Sequence, residues 1–216
     1  MLTRPLLALF ATFALGAQEA LPLALPVPTG GGAALADALA GRKTVRTLAG
    51  PALTLDEASR LLWAAQGENR PGHRTVPSAH AQYPVELYLL TSGSSSLASG
   101  FYHYQSIGHQ LRRLADGAPQ TTLGRLKGMQ PWIAAAPAVF VVAGVPARID
   151  AHDPSLTFYE GGAAAQCLLL QAVALGLSAG TASGLDLEAL AQTLKLPSGT
   201  RIMTLLPVGR EKGPSV

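Results

Sequence analysis

Between Glu160 and Asp186 the chain carries no charged residue, and that stretch limits the folds open to it more than any other. A run of this kind has to be covered, either by lipid or by the rest of a protein. Gln166, Gln171, Ser178 and several glycines interrupt it. They count against a membrane span, so the stretch predicts a helix buried inside a domain or between two copies of the chain. With 216 residues, 48% of them hydrophobic, the sequence can enclose one sizeable core but not two independent ones. Aromatic residues make up only 6%, so the core should be mainly aliphatic, with helices packed closely through small side chains.

The formal net charge of +3 is mild. Basic residues are scattered apart from Arg42-Lys43-Arg46, Arg112-Arg113 and Arg210-Lys212, which argues against a nucleic-acid partner and its concentrated basic face. Cys167 is the single cysteine. Neither an intramolecular disulfide nor a multi-cysteine zinc site is therefore open to the chain, and Cys167 reads as a small buried hydrophobe. The histidines at 73, 80, 103, 109 and 152 form no helix-spaced pair with a carboxylate, so no metal ligands are assigned. No G-x-S-x-G elbow is present either.

Arg4 followed by the uncharged run Pro5–Ala17, closing on small residues, has the form of a signal peptide over residues 1–17. This predicts export to the periplasm, with a cytoplasmic location as the alternative and no stable membrane span after cleavage. Residues 18–32 are rich in Pro, Ala and Gly and read as a linker or an arm on the body. The folded domain is expected over residues 33–216.

Within it, Thr54-Leu55-Asp56-Glu57 has the capping-box form and predicts a helix ending near Gly67. Val85–Thr91, Ala138–Val145 and Arg201–Val208 read as strands, and Phe101–Tyr104 as part of a hairpin. Gln105–Gly117 and Ala118–Gly128 are expected to contain helices. A short strand should follow Gly176, and Asp186 should cap a helix over Leu187–Leu194. This order gives an α+β sandwich with a mostly antiparallel sheet covered by helices. The lack of a strand–GxGxxG–helix unit argues against a Rossmann dinucleotide fold.

Three segments carry the chemistry. Arg42-Lys43-Thr44-Val45-Arg46 concentrates positive charge around a hydroxyl. Arg74-Thr75-Val76-Pro77-Ser78-Ala79 joins a loop of small polar residues to the strand after Tyr83-Pro84, which lets backbone amides approach a flat polar ligand. Ser183-Gly184-Leu185-Asp186 forms a turn after the long uncharged run. Together, in this order, they resemble the flavin-binding pattern of the nitroreductase family, in particular its branch of SagB-type dehydrogenases.

The resemblance implies a nitroreductase-like sandwich with a long buried central helix, binding FMN at the interface of a homodimer. Arg42 and Thr44 would hold the phosphate and ribityl end, Lys43 would belong to the same cofactor-binding segment, and Arg46 would lie near N1 and the C2 carbonyl, where a cation favours the reduced anionic ring. Pro77, Ser78 and Ala79 would reach the flavin from the partner subunit. Gln130, in Gln130-Pro131-Trp132-Ile133, could bond the pyrimidine edge, and Ser183 and Gly184 would aim amides at N5. Arg210, after Pro207-Val208-Gly209, would add a further cation toward the phosphate.

The implied activity is an oxidoreductase that moves hydride or electrons through N5 to or from a small organic substrate in alternating half-reactions. NAD(P)H is the family's usual donor. Two alternatives are a SagB-like enzyme acting on modified peptides and a non-catalytic flavin- or ligand-binding module. The sequence departs from the pattern at His80, at Ala163 and Cys167, where a histidine and an asparagine are expected, and in its short C-terminus. The Lys-Tyr pair expected near Ile149–Tyr159 in the peptide oxidases is absent, and no catalytic residue is assigned.

Overall fold

The computed structural model describes residues 21–149, 153–182 and 184–212. The expected signal peptide over residues 1–17 lies outside these residues, as does Ser183. In chain order the elements are β1 (Leu23–Ala24), α1 (Leu35–Gly41), β2 (Leu48–Ala49), α2 (Leu55–Gln66), β3 (Glu68–Arg70), β4 (His73–Arg74), β5 (Val85–Thr91) and β6 (Gly100–Gln105). There follow β7 (Gln110–Ala115), α3 (Pro119–Leu123), α4 (Pro131–Ala134), β8 (Ala138–Gly144), α5 (Leu156–Ala174), β9 (Ser178–Ala179), α6 (Leu187–Thr193) and β10 (Arg201–Glu211).

Strands order as β1-β7-β6-β5-β8-β10-β2, with β9 also on β10, and β3 and β4 pair separately. All ladders between these strands are antiparallel. The central strand β8 is buried along its whole length. That explains its uninterrupted apolar sequence, since both faces are covered and no polar face is needed. Leu87, Leu89, Phe140, Val142 and Leu206 belong to the same apolar cluster as Leu61, Leu62, Ala164 and Leu168 from α2 and α5. From the other face, Tyr88, Leu90, Val139, Val141 and Leu205 join Ile133 of α4 and Leu190 of α6. The predicted α+β sandwich is the observed architecture.

Helix α5 buries Thr157, Glu160, Gly161, Ala164, Ala165, Leu168, Leu169 and Ala172, a three-and-four spacing that defines one face. Close seating depends on glycine: a Cβ on Gly161 would lie 2.4 Å from Met203 Sδ, and one on Gly144 would lie 2.4 Å from Thr157 Cγ2. The opposite face of α5 is open, with Tyr159 70% exposed and Phe158 50% exposed. Within one chain, then, the central helix is buried on one side only.

The predicted capping box is present: Glu57 N donates to Thr54 Oγ1 at 3.1 Å and Thr54 N donates to Glu57 Oε2 at 2.8 Å. Strand and helix expectations at β5, β8, β10, β9 and α6 match within a few residues. The helix expected within Gln105–Gly117 is corrected, because Gln110–Ala115 is the strand β7 paired with β6. A turn closed by His109 N donating to Ser106 O joins them, with Gly108 at φ 81°, the value that the third residue of a type II turn requires. In the next segment helix is limited to α3. Residues Leu23 to Leu25 lie on the body as an extended arm, with β1 on β7 and Leu25 N donating to His109 O.

Candidate cofactor site

The basic arm begins where α1 stops. Arg42 takes extended backbone angles at the helix C-cap, and its N–H donates to Ala38 O. Beyond it the chain runs beside β9: Thr44 bridges Ala179 in parallel, and Val45 N donates to Ala179 O at 2.9 Å. Side chains on extended backbone alternate. Val45 turns into the core at 5% exposure, so Thr44 and Arg46 share the opposite, exposed side.

The four cations proposed for the arm and the chain end are not equivalent. Lys43 Nζ pairs with Glu211 Oε2 at 2.8 Å. Arg210 Nη2 pairs with Glu57 Oε1 at 2.7 Å and so locks the end of β10 to the capping box of α2. Arg42 and Arg46 have no carboxylate partner among the described residues. They are the cations left to meet an anion.

Arg46 lies over the Trp132 ring, its guanidinium carbon 5.8 Å from the centroid. Trp132 Nε1 donates to Gln130 Oε1 at 2.8 Å, which fixes both side chains. Gly180 allows the arm, β9 and Trp132 to meet, because a Cβ there would lie 2.9 Å from both Val45 O and Trp132 Cζ3. Neither Gly180 nor the Arg46–Trp132 stack was expected, since Trp132 by itself reads as core packing. Gly184 sits at φ 72° ahead of Asp186, whose Oδ1 caps α6 by accepting from Ala189 N at 2.9 Å. A hollow of about 160 Å³ separates Leu185 and Asp186 from Lys127–Met129, next to Gln130. Thr44, Arg46, Trp132 and Gln130 thus gather beside β9, with Arg42 at the start of the same arm, and Gly184 follows Ala182, which bridges Leu205 in the middle of β10.

Pro77, Ser78 and Ala79 lie elsewhere. Their loop is anchored to the N-terminal part of α5, where Glu160 is 2% exposed and its Oε1 accepts from Ala79 N at 2.9 Å. Ser78 Oγ accepts from Tyr83 N at 2.8 Å. Arg74 covers the Tyr83 ring at 4.4 Å, and burial draws its pKa below the usual guanidinium value while the Glu86 charge and Tyr83 act the other way. His80, Ala81 and Tyr83 all hold positive φ, at 51°, 54° and 44°. Such a conformation costs energy in residues other than glycine and persists only where surroundings enforce it. His80 is exposed.

At its far end α5 meets the basic arm, since a Cβ on Gly41 would lie 3.2 Å from Val173 Cγ1. From Glu160 to Val173 the helix rises about 20 Å. The antiparallel register agrees: Arg201 of β10 pairs with Gly144, the partner of Val85 next to the loop, whereas Arg210 pairs with Ala49 next to the arm. The arm and the Pro77–Ala79 loop therefore lie at opposite ends of the sheet.

The arrangement suits FMN in its donor set: two uncompensated guanidinium groups flank a hydroxyl on one side of an extended strand, and a stacked Trp and a glycine turn lie beside them. These features belong to an α+β protein whose helices cover a large antiparallel sheet. The sequence pattern of the nitroreductase family matches residues 39–210, and the chain belongs to that family. It is 32% identical over 182 residues to a nitroreductase-like protein of Methanocaldococcus jannaschii, covering 82% of this chain and 91% of that one. A nitroreductase-like protein of Ralstonia eutropha superposes with a TM-score of 0.77 at 27% identity, over 98% of this chain and 99% of the other. The Escherichia coli microcin synthetase complex McbBCD, with truncated pro-MccB17 bound, contains a chain of the same fold. There the TM-score is 0.67 at 17% identity, covering 95% of this chain and 85% of that one. Among the described residues no helix is long and apolar enough to cross a membrane.

Proposed function

We propose that the protein is an FMN-dependent oxidoreductase of the nitroreductase family, working as a homodimer on a small organic substrate, with NAD(P)H as its electron donor. The observation that carries this reading is the separation of the two half-sites. An arm with free guanidinium groups and a small-residue loop stand about 20 Å apart along α5, too far to enclose one ring system in a single chain. A second copy brings its loop to the first copy's arm, and the open Phe158–Tyr159 face of α5 supplies apolar surface for that pairing.

Bound FMN supplies reversible electron transfer to and from organic substrates. The chain supplies charge and shape. Arg42 would neutralise the phosphate by a charge-assisted hydrogen bond, with the Thr44 hydroxyl beside it. Arg46, held over Trp132, places a cation where a reduced, anionic ring needs one. Gln130 is oriented by Trp132 toward the same region. Amides of the turn at Gly184 act as fixed dipoles that need no reorganisation. Lys43 and Arg210 are engaged by Glu211 and Glu57, so their contribution would be to hold the arm and the strand end in place. The SagB-type alternative on modified peptides draws support from the McbBCD fold alone.

The test is the visible spectrum of the purified chain, followed by NADH or NADPH without oxygen. A flavin spectrum that bleaches supports the reading. A spectrum that stays unchanged with either donor removes NAD(P)H from it, and a chain that cannot be reconstituted with FMN defeats it. Arg42→Ala should weaken FMN binding at least about tenfold, as expected for loss of a hydrogen bond to a charged group.

A further inference from the structure

A second cleft, of about 550 Å³, opens on the face of the sheet opposite α2 and α5, between β5–β7 and the segment that follows α6. Its size falls within the range of small-molecule sites. Its Glu86 side lies at the strand ends remote from the basic arm, since Glu86 pairs with Ala143 and Arg201 with Gly144, and the cleft spreads from there toward β7, across the sheet from β10 and β2. Aromatic rings form the floor: Tyr88 stacks on Phe101 with centroids 5.5 Å apart and meets His103 at 4.9 Å. Leu114, 39% exposed, adds an apolar wall.

Charges in this cleft divide into paired and unpaired. Glu86 bonds His103 Nε2 at 2.5 Å and also Arg148. Asp116 is held by Arg113 at 2.9 Å. Arg112 has no ion pair or hydrogen bond among the described residues, and its Nε is shielded from solvent without a partner. Lys195, at φ 51° just past α6, has no ion pair among the described residues either. A buried guanidinium N–H without an acceptor is costly unless something supplies one. The Nη1 and Nη2 groups of Arg112, which make no hydrogen bond among the described residues and are not enclosed as Nε is, present two parallel donors, the geometry that matches a planar carboxylate.

We infer that this cleft is a binding site for a small aromatic carboxylate, its ring on Tyr88 and Phe101 and its carboxylate on Arg112 with Lys195. A monoanion fits better than a dianion, because Glu86 and Asp116 also line the walls. Burial, reinforced by the Glu86 charge, raises the Tyr88 pKa to about 12. Its hydroxyl therefore stays neutral and adds no repulsion. This inference does not depend on the cofactor reading: the cleft is remote from the basic arm, and the Pro77–Ala79 loop, although at the same strand ends, is anchored to α5 on the other face of the sheet.

Isothermal titration calorimetry with 2-naphthoate and its neutral amide, 2-naphthamide, tests it on the purified chain with and without FMN. The carboxylate should bind, the amide at least about tenfold more weakly, and Arg112→Gln should lose about the same factor. Arg46→Ala, in the candidate cofactor site, should leave naphthoate binding unchanged. Thermal unfolding of Arg112→Gln separates lost binding from lost folding, and Lys195→Ala offers an exposed second variant expected to weaken binding in the same direction. Equal binding of acid and amide, full affinity in both Arg112→Gln and Lys195→Ala, or sensitivity to Arg46→Ala would overturn the assignment, the last by placing the ligand at the cofactor site.

Discussion

At Gly180 the absence of a side chain lets the basic arm, β9 and Trp132 meet in the candidate cofactor site. A methyl group there would press on a backbone carbonyl, Val45 O, and on the edge of Trp132, both at 2.9 Å. The carbonyl belongs to the hydrogen-bonded arm and cannot step aside cheaply. Gly180→Ala should therefore cost about 1–3 kcal/mol, the usual range for overpacking, read from the urea midpoint, and should loosen FMN with it. Glu86 offers a second test. Burial works to raise its pKa, but the hydrogen bond from His103 and the charge of Arg148 outweigh burial and hold the carboxyl below the usual range. Its native pKa is thus lower than in the unfolded chain. The resulting stabilisation is complete above the unfolded-state value and is lost as pH falls through the native one. Glu86→Gln should be less stable than the parent near neutrality, and the gap should close in acid. Urea titrations at a series of pH values check this, and a gap that widens toward acid would refute it.

At the scale of elements, α2 links fold and site. Its capping box satisfies the first-turn amides, and the second oxygen of Glu57 holds Arg210 at the end of β10. Thr54→Ala should cost about 1 kcal/mol, as cap removal does, measurable by chemical denaturation. This helix was legible because its signals are local, with cap, acidic first turn and apolar spacing all inside Thr54–Gln66. The buried strands β5 and β8 were legible for a similar reason, each being a short apolar run between turn residues. By contrast, β7 places Arg112 and Arg113 in mid-strand and keeps only Leu111 fully buried. Its conformation comes from pairing with β6, which a local reading cannot weigh against helix propensity. The candidate site shows the same division. Motifs at Arg42–Arg46 and Pro77–Ala79 could be read as motifs. That Glu211 engages Lys43 across 168 positions, and Glu57 engages Arg210 across 153, could not.

At the scale of the whole molecule, the basic arm and the Pro77–Ala79 loop lie at opposite ends of one sheet, and the proposed function requires both to serve one ligand. If two copies pair so that each arm meets the other's loop, the defects of two different variants become complementary. Arg42→Ala spoils the arm, and Ser78→Trp blocks the loop with bulk. Each variant alone should bind little FMN, because both sites of its dimer carry the defect. In a heterodimer of the two, one site collects both defects and the other collects none. Refolding the variants together in equal amounts gives heterodimers as half of the dimers, so about one quarter of the parent's sites should be restored. Flavin content per chain, measured after gel filtration at the dimer position, reads this out. A site contained within a single chain predicts no recovery at all, since every chain in the mixture would carry a damaged half.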